Sequence, residues 1–192
     1  MTGEAIRDKK GVKQGQKIPI PRNRIKPLKD NWMSIYTPIV EQLKLQIMYD
    51  TKTSHVQVRT SKETTDALAV QRAADFVRAF ALGFEVGDAL ALVRIDELYV
   101  ETFKITDIKM LKGDHLARAI GRVAGTGGKN KHTIENATRT RIVMADQTLS
   151  VLGSFQNVKT ARRTICAQVM GTPNSKIHGT LKGISDRMND RM

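Results

Sequence analysis

The hydrophobic positions of the chain follow a helical period from Trp32 onward and then switch to short strand-like runs. The helical positions, spaced three and four residues apart, are Trp32, Ile35, Tyr36, Ile39, Val40 and Leu43. Residues 45–49 and 55–60 are rich in β-forming side chains, and the polar residues 51–54 between them predict a hairpin turn. This stretch therefore predicts a helix followed by two antiparallel strands.

Two further helices are predicted before residue 95. Apolar residues at helical spacing run from Val70 to Phe80 and stop near Gly83. Asp66 is positioned to cap this helix at its amino terminus. A shorter helix follows, with Asp88 as its predicted cap.

Residues 98–170 show a similar alternation with a glycine-rich turn added. The predicted order is strand, helix, glycine turn, helix, strand, strand and helix. The predicted strands are residues 98–105, 141–144 and 148–152. The predicted helices are residues 114–124, a second helix from the glycine turn at 125–128 to about residue 138, and residues 156–170. Because the region before residue 95 has the same layout without a clear glycine turn, we predict an α+β fold that contains a structural duplication.

Residues 1–30 show no hydrophobic period. Lysines lie among glycine and glutamine, and prolines then favour an extended path; these residues are Lys9, Lys10, Lys13, Lys17, Pro19, Pro21 and Pro27. The segment therefore predicts a basic flexible tail. Such a tail could either lie along RNA or a partner protein or remain solvated.

Charge adds a functional class to this picture, because 32 Lys and Arg residues face 19 Asp and Glu residues. The net charge of +13 and the sequence pI of about 10.1 predict a polyanionic partner, either nucleic acid or, less often, an anionic membrane surface. The net charge is +6 in residues 1–30, −2 in residues 31–100 and +9 in residues 101–192. The last section is therefore the predicted binder of nucleic acid.

Cysteine content and hydropathy exclude other classes. Cys166 is the single cysteine, which excludes an intramolecular disulfide and a CxxC zinc site. Its position on an apolar helical stripe predicts a buried thiol. No run approaches the roughly 18 apolar residues of a membrane span, and the amino terminus has no apolar signal core, so we expect an intracellular, soluble protein.

The glycine turn at residues 125–128 is the candidate site. A helix begins there, so its unpaired backbone N–H groups and its dipole favour an anion, and glycines let an RNA backbone approach closely. Eight Lys or Arg residues against two acids lie within residues 109–141. The cations nearest the turn are Arg118, Arg122, Lys129 and Lys131.

Two nucleotide-binding motifs fail at this turn. A Walker phosphate loop would need glycine where Val123 stands and a hydroxyl residue where Asn130 stands. A dinucleotide fingerprint beginning at Gly125 would need a third glycine at residue 130, and no strand runs into the turn. The remaining interpretation is a KH domain, whose GXXG loop clamps four backbone nucleotides.

In a KH domain the bases lie in a groove between the helix–loop–helix and a strand, which is here residues 141–144. The predicted RNA-binding residues are Arg118, Ile120, Arg122, Gly125, Thr126, Gly127, Gly128, Lys129, Lys131, Ile134, Arg139, Arg141 and Val143. Ile120, Ile134 and Val143 form the predicted apolar platform. Ile120 and Ile134 fit an ordinary core equally well. Arg139 and Arg141 are predicted to meet phosphates or base edges.

Neither a catalytic nor a metal-binding constellation is evident in the sequence. The four histidines are scattered, at His55, His115, His132 and His178. The acids near the turn have structural interpretations, with Asp114 as a helix cap and Glu135 as an i,i+4 partner of Arg139. We therefore predict that the chain is not an enzyme and needs no cofactor.

The run GDHLARAIGRVAGTGGKNKHTIENATRTRIVMAD closely resembles the Partner-of-Nob family, also called Dim-two, of KH-type assembly factors of the small ribosomal subunit. Further matching segments are PLKDNWMSIYTPIVEQL, SKETTDA, AADFVRAFALGFEVGDALALVRIDELYVETF, LGSFQNVKTAR and PNSKIHG. The resemblance therefore covers essentially everything after residue 30.

The resemblance implies two tandem type I KH-like domains, each with a three-stranded antiparallel sheet and three helices, of which the first is degenerate and lacks the GXXG loop. The sequence agrees, because Thr37 and Pro38 bring no glycine between the first helix and the hairpin. The predicted divisions are a tail at 1–30, a degenerate domain at 31–94, a GXXG-containing domain at 95–171 and a helical extension at 172–192.

Carried over to this chain, the motif glycines are Gly125 and Gly128. The central loop residues, Thr126 and Gly127, bring no positive charge, although Lys129 could compensate.

The resemblance also implies a function. The second domain is expected to bind the 3′ end region of the small-subunit rRNA precursor and to position or regulate the PIN-domain endonuclease Nob, which cuts that end. Other expected partners are small-subunit assembly factors and ribosomal proteins, but not a membrane. The expected location is the nucleus and nucleolus, with passage to the cytoplasm on the pre-ribosomal particle.

Two alternatives remain open at this point. One is a general single-stranded RNA-binding KH protein. The other is a protein adaptor that recruits partners through the acidic first domain or through a carboxy-terminal helical face; that face consists of Leu181, Ile184 and Met188.

Overall fold

The computed structural model describes residues 15–66 and 68–189, apart from the side chains of residues 187–189. The chain divides into two compact units, of which the first ends at Asp96 and the second begins at Glu97. Each unit contains one three-stranded antiparallel sheet together with helices. The predicted α+β class is therefore confirmed, and the division lies at residue 96 rather than 94.

Within the described residues, the first unit runs from a strand at Gly15 to two helices. Its elements are β1 (Gly15–Pro19), α1 (Arg22–Asp30), α2 (Trp32–Thr37), a π-helical turn (Pro38–Gln42), β2 (Leu45–Asp50), β3 (His55–Thr60), α3 (Ala69–Leu82) and α4 (Val86–Arg94). The strand order is β1-β3-β2, with both neighbours antiparallel to β3. Val56 and Val58 of β3 and Phe76 and Phe80 of α3 are buried in its core.

The predicted flexible tail is wrong from Gly15 onward. β1 pairs with β3 in the register Ile18↔Val56, and Ile18 is only 1% exposed. A strand of five residues with a single large apolar side chain gives no visible hydrophobic period, because its stability comes from pairing with residues 36 to 44 positions away. The predicted tail residues 1–14 lie outside the described part of the chain.

Arg24 in α1 shows why part of the amino-terminal basic charge is structural. Its Nε donates a hydrogen bond to the Phe80 carbonyl oxygen at 3.0 Å, and its Nη2 donates to the Phe84 carbonyl oxygen at 3.0 Å. The guanidinium carbon also lies 4.4 Å from the centre of the Phe80 ring. Partial burial lowers the pKa of the Arg24 guanidinium from its ordinary value. Arg24 therefore ties α1 to the carboxy-terminal end of α3.

The junction between the first two helices lies at Asn31, six residues before the predicted position at Thr37. Pro38 instead begins the π-helical turn that leads into β2. Asp30 and Trp32 flank Asn31, so neither position supplies a glycine. The first unit thus has the order of a KH domain without a GXXG loop.

Two predicted helix caps differ from the structure. The N-cap residue of α3 is Leu68, and Asp66 lies two residues before it. Oδ1 of Asp66 accepts a hydrogen bond from the Leu68 N–H at 2.8 Å, so Asp66 stabilises the residues that lead into the helix. The predicted cap at Asp88 is wrong, because α4 begins earlier, at Val86, and Asp88 lies within its first turn.

The second unit has the same strand order. Its elements are β4 (Leu98–Lys104), α5 (Ile105–Ile108), α6 (Gly113–Ala124), a 3₁₀ turn (Thr126–Gly128), α7 (Lys129–Thr138), β5 (Arg141–Ala145), β6 (Thr148–Ser154), α8 (Phe155–Met170) and α9 (Asn174–Asn189). The sheet order is β4-β6-β5, with both outer strands antiparallel to β6. Its core is aliphatic, as Ile142, Leu149, Val151, Val158 and Ile165 illustrate.

Helix α9 packs onto this core rather than presenting an apolar face to partners. Ile177 and Leu181 are 4% and 2% exposed, and Ile184 packs against the same core. The proposed adaptor face is therefore wrong at Leu181 and Ile184, since apolar side chains at this spacing are explained by contact with α7 and α8. The side chain of Met188 lies outside the described part of the structure.

Candidate nucleic-acid interface

The glycine loop between α6 and α7 is the candidate site. Gly125 has φ 74° and ψ 172°, a conformation essentially restricted to glycine. Gly127 and Gly128 also have positive φ values, 60° and 77°. Thr126 and Gly127 are exposed, and nothing lies within 4 Å of the Cβ position of Gly127 apart from its chain neighbours. The loop therefore exposes backbone to open space, which close approach of an RNA backbone requires.

Asn130 is the residue that requires glycine at the first loop position. A Cβ atom on Gly125 would lie 2.8 Å from both the backbone nitrogen and Cγ of Asn130. Asn130 is 9% exposed, and its Nδ2 donates a hydrogen bond to the Arg122 carbonyl oxygen at 2.8 Å. This side chain therefore joins the end of α6 to the start of α7. The sequence analysis considered Asn130 only as a mismatch to nucleotide-binding motifs.

Gly125→Ala is expected to lower the free energy of unfolding by about 2 kcal/mol, because the new methyl group meets backbone and the φ/ψ region excludes it. Gly121→Ala is the matched control, since Gly121 lies inside α6 and a Cβ there meets nothing within 4 Å. That control should be neutral or stabilising by up to about 1 kcal/mol. Urea unfolding of both variants checks the prediction, and equal effects would contradict it.

The predicted cations lie at both ends of α7 and on α6, and they differ in exposure. Arg118, Lys129, Arg139 and Arg141 are exposed, whereas the Lys131 side chain is 29% exposed. Arg139 follows the last residue of α7 with φ 50°, and Arg141 begins β5.

Arg122 is also exposed but extends towards α8. Its Nη1 lies 3.6 Å from the Cβ position of Gly171, which follows the last residue of that helix. A cation is favoured there by the helix dipole. Arg122 thus has a structural environment in addition to its predicted place near RNA.

The predicted apolar platform is only partly present. Ile120 and Val143 are half-buried, so each retains some accessible apolar surface. Ile134 is 1% exposed and belongs to the core, which contradicts its predicted contact with bases. The reason is that Ile134 lies on the face of α7 that packs against the core. Helical spacing alone does not predict which face of the helix is buried.

Glu135 is a buried acceptor between α7 and β5. It is 5% exposed, and its Oε1 accepts the Ile142 N–H at 2.7 Å. Its Oε2 lies 2.8 Å from Nδ1 of His132, and Lys131 Nζ is 3.8 Å from Oε1. α7 ends at Thr138, and the predicted pairing of Glu135 with Arg139 stays a prediction. The hydrogen bond from Ile142 shows that Glu135 connects α7 to β5.

His132 is the second residue of this site that the sequence analysis missed. It follows the loop on α7 and lies three positions before Glu135, so the two side chains share one helical face. The i,i+3 spacing of a histidine and a glutamate next to a GXXG loop is the signal in the sequence that indicates this pair.

Asp114 and Cys166 have structural surroundings. The predicted cap Asp114 lies inside the first turn of α6, whose N-cap position is Lys112. Cys166 is partly buried, and desolvation raises the pKa of its thiol, so the thiolate is disfavoured. Within residues 15–66 and 68–189, no group of three His, Cys, Asp or Glu residues could hold a metal ion. No helix in this part of the chain is long and apolar enough to cross a membrane.

Comparison with known proteins connects this site to a family. Residues 102–186 match the model of the eukaryotic type KH-domain (KH-domain type I). The RNA-binding protein PNO1 of Oryzias latipes is 53% identical over 182 residues, covering 95% of this chain and 75% of that protein. The pre-rRNA-processing protein PNO1 of Yarrowia lipolytica is 52% identical over 188 residues, covering 97% and 73%.

A solved structure supports the fold over both units. A chain of the a/eIF2alpha–aDim2p–rRNA complex from Pyrococcus horikoshii is 27% identical and superimposes with a TM-score of 0.79. The match covers 93% of this chain and 97% of that one.

Proposed function

Because the chain belongs to the PNO1 family of KH-domain proteins, which bind RNA and process pre-rRNA, we propose that its second unit clamps single-stranded RNA near the 3′ end of the small-subunit rRNA precursor. The family is non-enzymatic, so the chain acts by binding. The observation that carries the proposal is the open glycine loop at residues 125–128, with three positive-φ glycines between two helices.

The proposed contacts follow from the shape of the loop. Thr126, Gly127 and Gly128 face the phosphates, with Lys129 supplying positive charge directly after them. Arg118, Arg122 and Lys131 extend this basic surface along the two helices. Arg139 and Arg141 contact the RNA strand from the side of β5. Ile120 and Val143 provide an apolar surface for the bases. Ile134 is left out because it lies in the core.

The proposed partner in processing is the PIN-domain endonuclease Nob. In this proposal the chain holds the 3′ end region of the precursor so that the nuclease is positioned or held back, alongside other assembly factors and ribosomal proteins. It acts in the nucleus and nucleolus and passes to the cytoplasm on the pre-ribosomal particle. Support comes from the sequence resemblance after residue 30, and from the structural neighbour that was solved in a complex with rRNA.

Crosslinking of the protein to RNA in cells, followed by mapping of the crosslinked nucleotides, tests this function. We expect a peak near the 3′ end of the small-subunit rRNA precursor. A signal dispersed over many messenger RNAs would instead identify a general RNA binder. Absence of crosslinks above background would favour the adaptor alternative.

A further inference from the structure

A hydrogen bond between His132 and Glu135 determines the orientation and the tautomer of an imidazole ring beside the glycine loop. Glu135 is 6% exposed as a side chain and is held from its other oxygen by the Ile142 N–H at 2.7 Å. His132, in contrast, has a side chain that is 64% exposed. A rigid buried acceptor therefore orients an accessible ring.

The carboxylate determines which ring nitrogen carries the proton. A carboxylate accepts hydrogen bonds, so Nδ1 of His132 is the donor in the 2.8 Å contact with Glu135. In the neutral imidazole the other nitrogen, Nε2, is then a hydrogen-bond acceptor. Neutral His132 consequently offers an accepting atom rather than a donating one.

That accepting atom lies at the loop. The Cβ position of Gly128 is 3.5 Å from both Nε2 and Cδ2 of His132. This edge of the ring is therefore beside the backbone that would grip a nucleotide. Phosphate oxygens can only accept hydrogen bonds from the protein, and Lys129 and Lys131 already provide donors for them. The donor that an RNA backbone brings to such a place is the ribose 2′-hydroxyl.

We propose that Nε2 of His132 accepts a hydrogen bond from a ribose 2′-hydroxyl of the bound strand, so that this loop distinguishes RNA from DNA. Glu135 acts as the positioning residue, because it fixes both the ring orientation and the tautomer. The inference rests on the proposed RNA clamp, and it adds a specificity that glycines and lysines alone do not supply, since backbone phosphates are common to RNA and DNA.

The test measures the affinity of the full chain for a short single-stranded RNA from the 3′ end of the small-subunit rRNA precursor. A series of the same strand carries one 2′-deoxy substitution at each position in turn. Binding to every strand is measured in the same buffer. For the unmodified protein, one position should weaken binding by about 3- to 10-fold, the effect of one hydrogen bond.

His132→Phe keeps an aromatic ring and removes the acceptor. At the sensitive position, this variant should bind the ribose and deoxyribose strands equally. Retention of the same sensitivity overturns the inference. Equal weakening towards every strand, with the sensitivity retained, also overturns it, since that pattern belongs to ring packing or to a phosphate contact.

Glu135→Gln tests the tautomer separately. The glutamine amide can turn its NH₂ group towards Nδ1, which makes Nδ1 the acceptor and Nε2 a donor. The 2′-deoxy effect should then fall as it does in His132→Phe, and the double variant should lose no more. If Glu135→Gln does not fold, His132→Phe decides the question by itself, because that side chain is largely exposed.

The clamp and the inference fail in different ways. Should Thr126→Asp with Gly127→Asp retain full RNA affinity, the clamp itself is wrong. Should that variant lose RNA while His132→Phe keeps its sensitivity to 2′-deoxy substitution, only the role of His132 is wrong.

Discussion

Replacing Thr126 and Gly127 together by aspartate should lower the affinity for single-stranded RNA by about 100-fold while leaving the second unit folded. Each position faces open solvent at the centre of the glycine loop. Repulsion between the new carboxylates and the phosphates displaces the RNA backbone from the loop. The loss of two hydrogen bonds to charged groups, at roughly 1.5 kcal/mol each, corresponds to about 100-fold in affinity.

The fold should tolerate this change. Gly127 has φ 60° and no Cβ clash, and aspartate is among the few other residues that enter the left-handed region readily. Thr126→Asn with Gly127→Asn is the matched control, because it has nearly the same shape without the charge. Titration of a labelled RNA with both variants, alongside their unfolding curves, measures the effect. If the aspartate and asparagine variants bind equally, charge at the loop does not govern binding.

Ile18→Ala should lower the free energy of unfolding of the first unit by about 2–4 kcal/mol. Ile18 is 1% exposed and lies opposite Val56, so its removal loses apolar burial and leaves a cavity. In a flexible tail the same substitution would have almost no effect. The variant therefore measures directly whether β1 is part of the folded unit.

Lys17→Ala is the control for the second prediction. Lys17 is the neighbouring residue in β1 and its side chain leaves the other face of the strand. It should change the free energy of unfolding by less than about 0.5 kcal/mol. Chemical unfolding followed by circular dichroism compares the two variants. Similar small effects for both would show that residues 15–19 are not held in the sheet in solution.

The contrast between the loop and β1 shows what the sequence could predict. The loop lies between two amphipathic helices, and its glycines follow each other, so local spacing was sufficient to identify it. β1 has one large buried side chain in five residues, and its hydrogen bonds go to β3. Its strand character is set by a distant partner, which no short window of sequence contains.

Within the site, the sequence did not predict which side chains are buried. Ile120 and Ile134 have the same side chain and both lie on helices beside the loop, yet one is half-buried and the other is core. Glu135 was predicted as an i,i+4 partner of Arg139, and its burial and its hydrogen bond to the backbone of β5 were not foreseen. Which face of α7 meets the sheet depends on the crossing of α7 over its neighbours, and spacing along one helix does not determine it.

The position of β1 has a consequence for any shortened form of the protein. Hydropathy suggests trimming the chain at residue 30, but β3 would then lose a neighbour and present a row of unpaired backbone groups. Val56 and Val58 lie on that strand and would lose part of their cover. An open edge of this kind recruits strands from other molecules. Residues 15–19 therefore also protect the sheet against aggregation, and a shortened form should keep them.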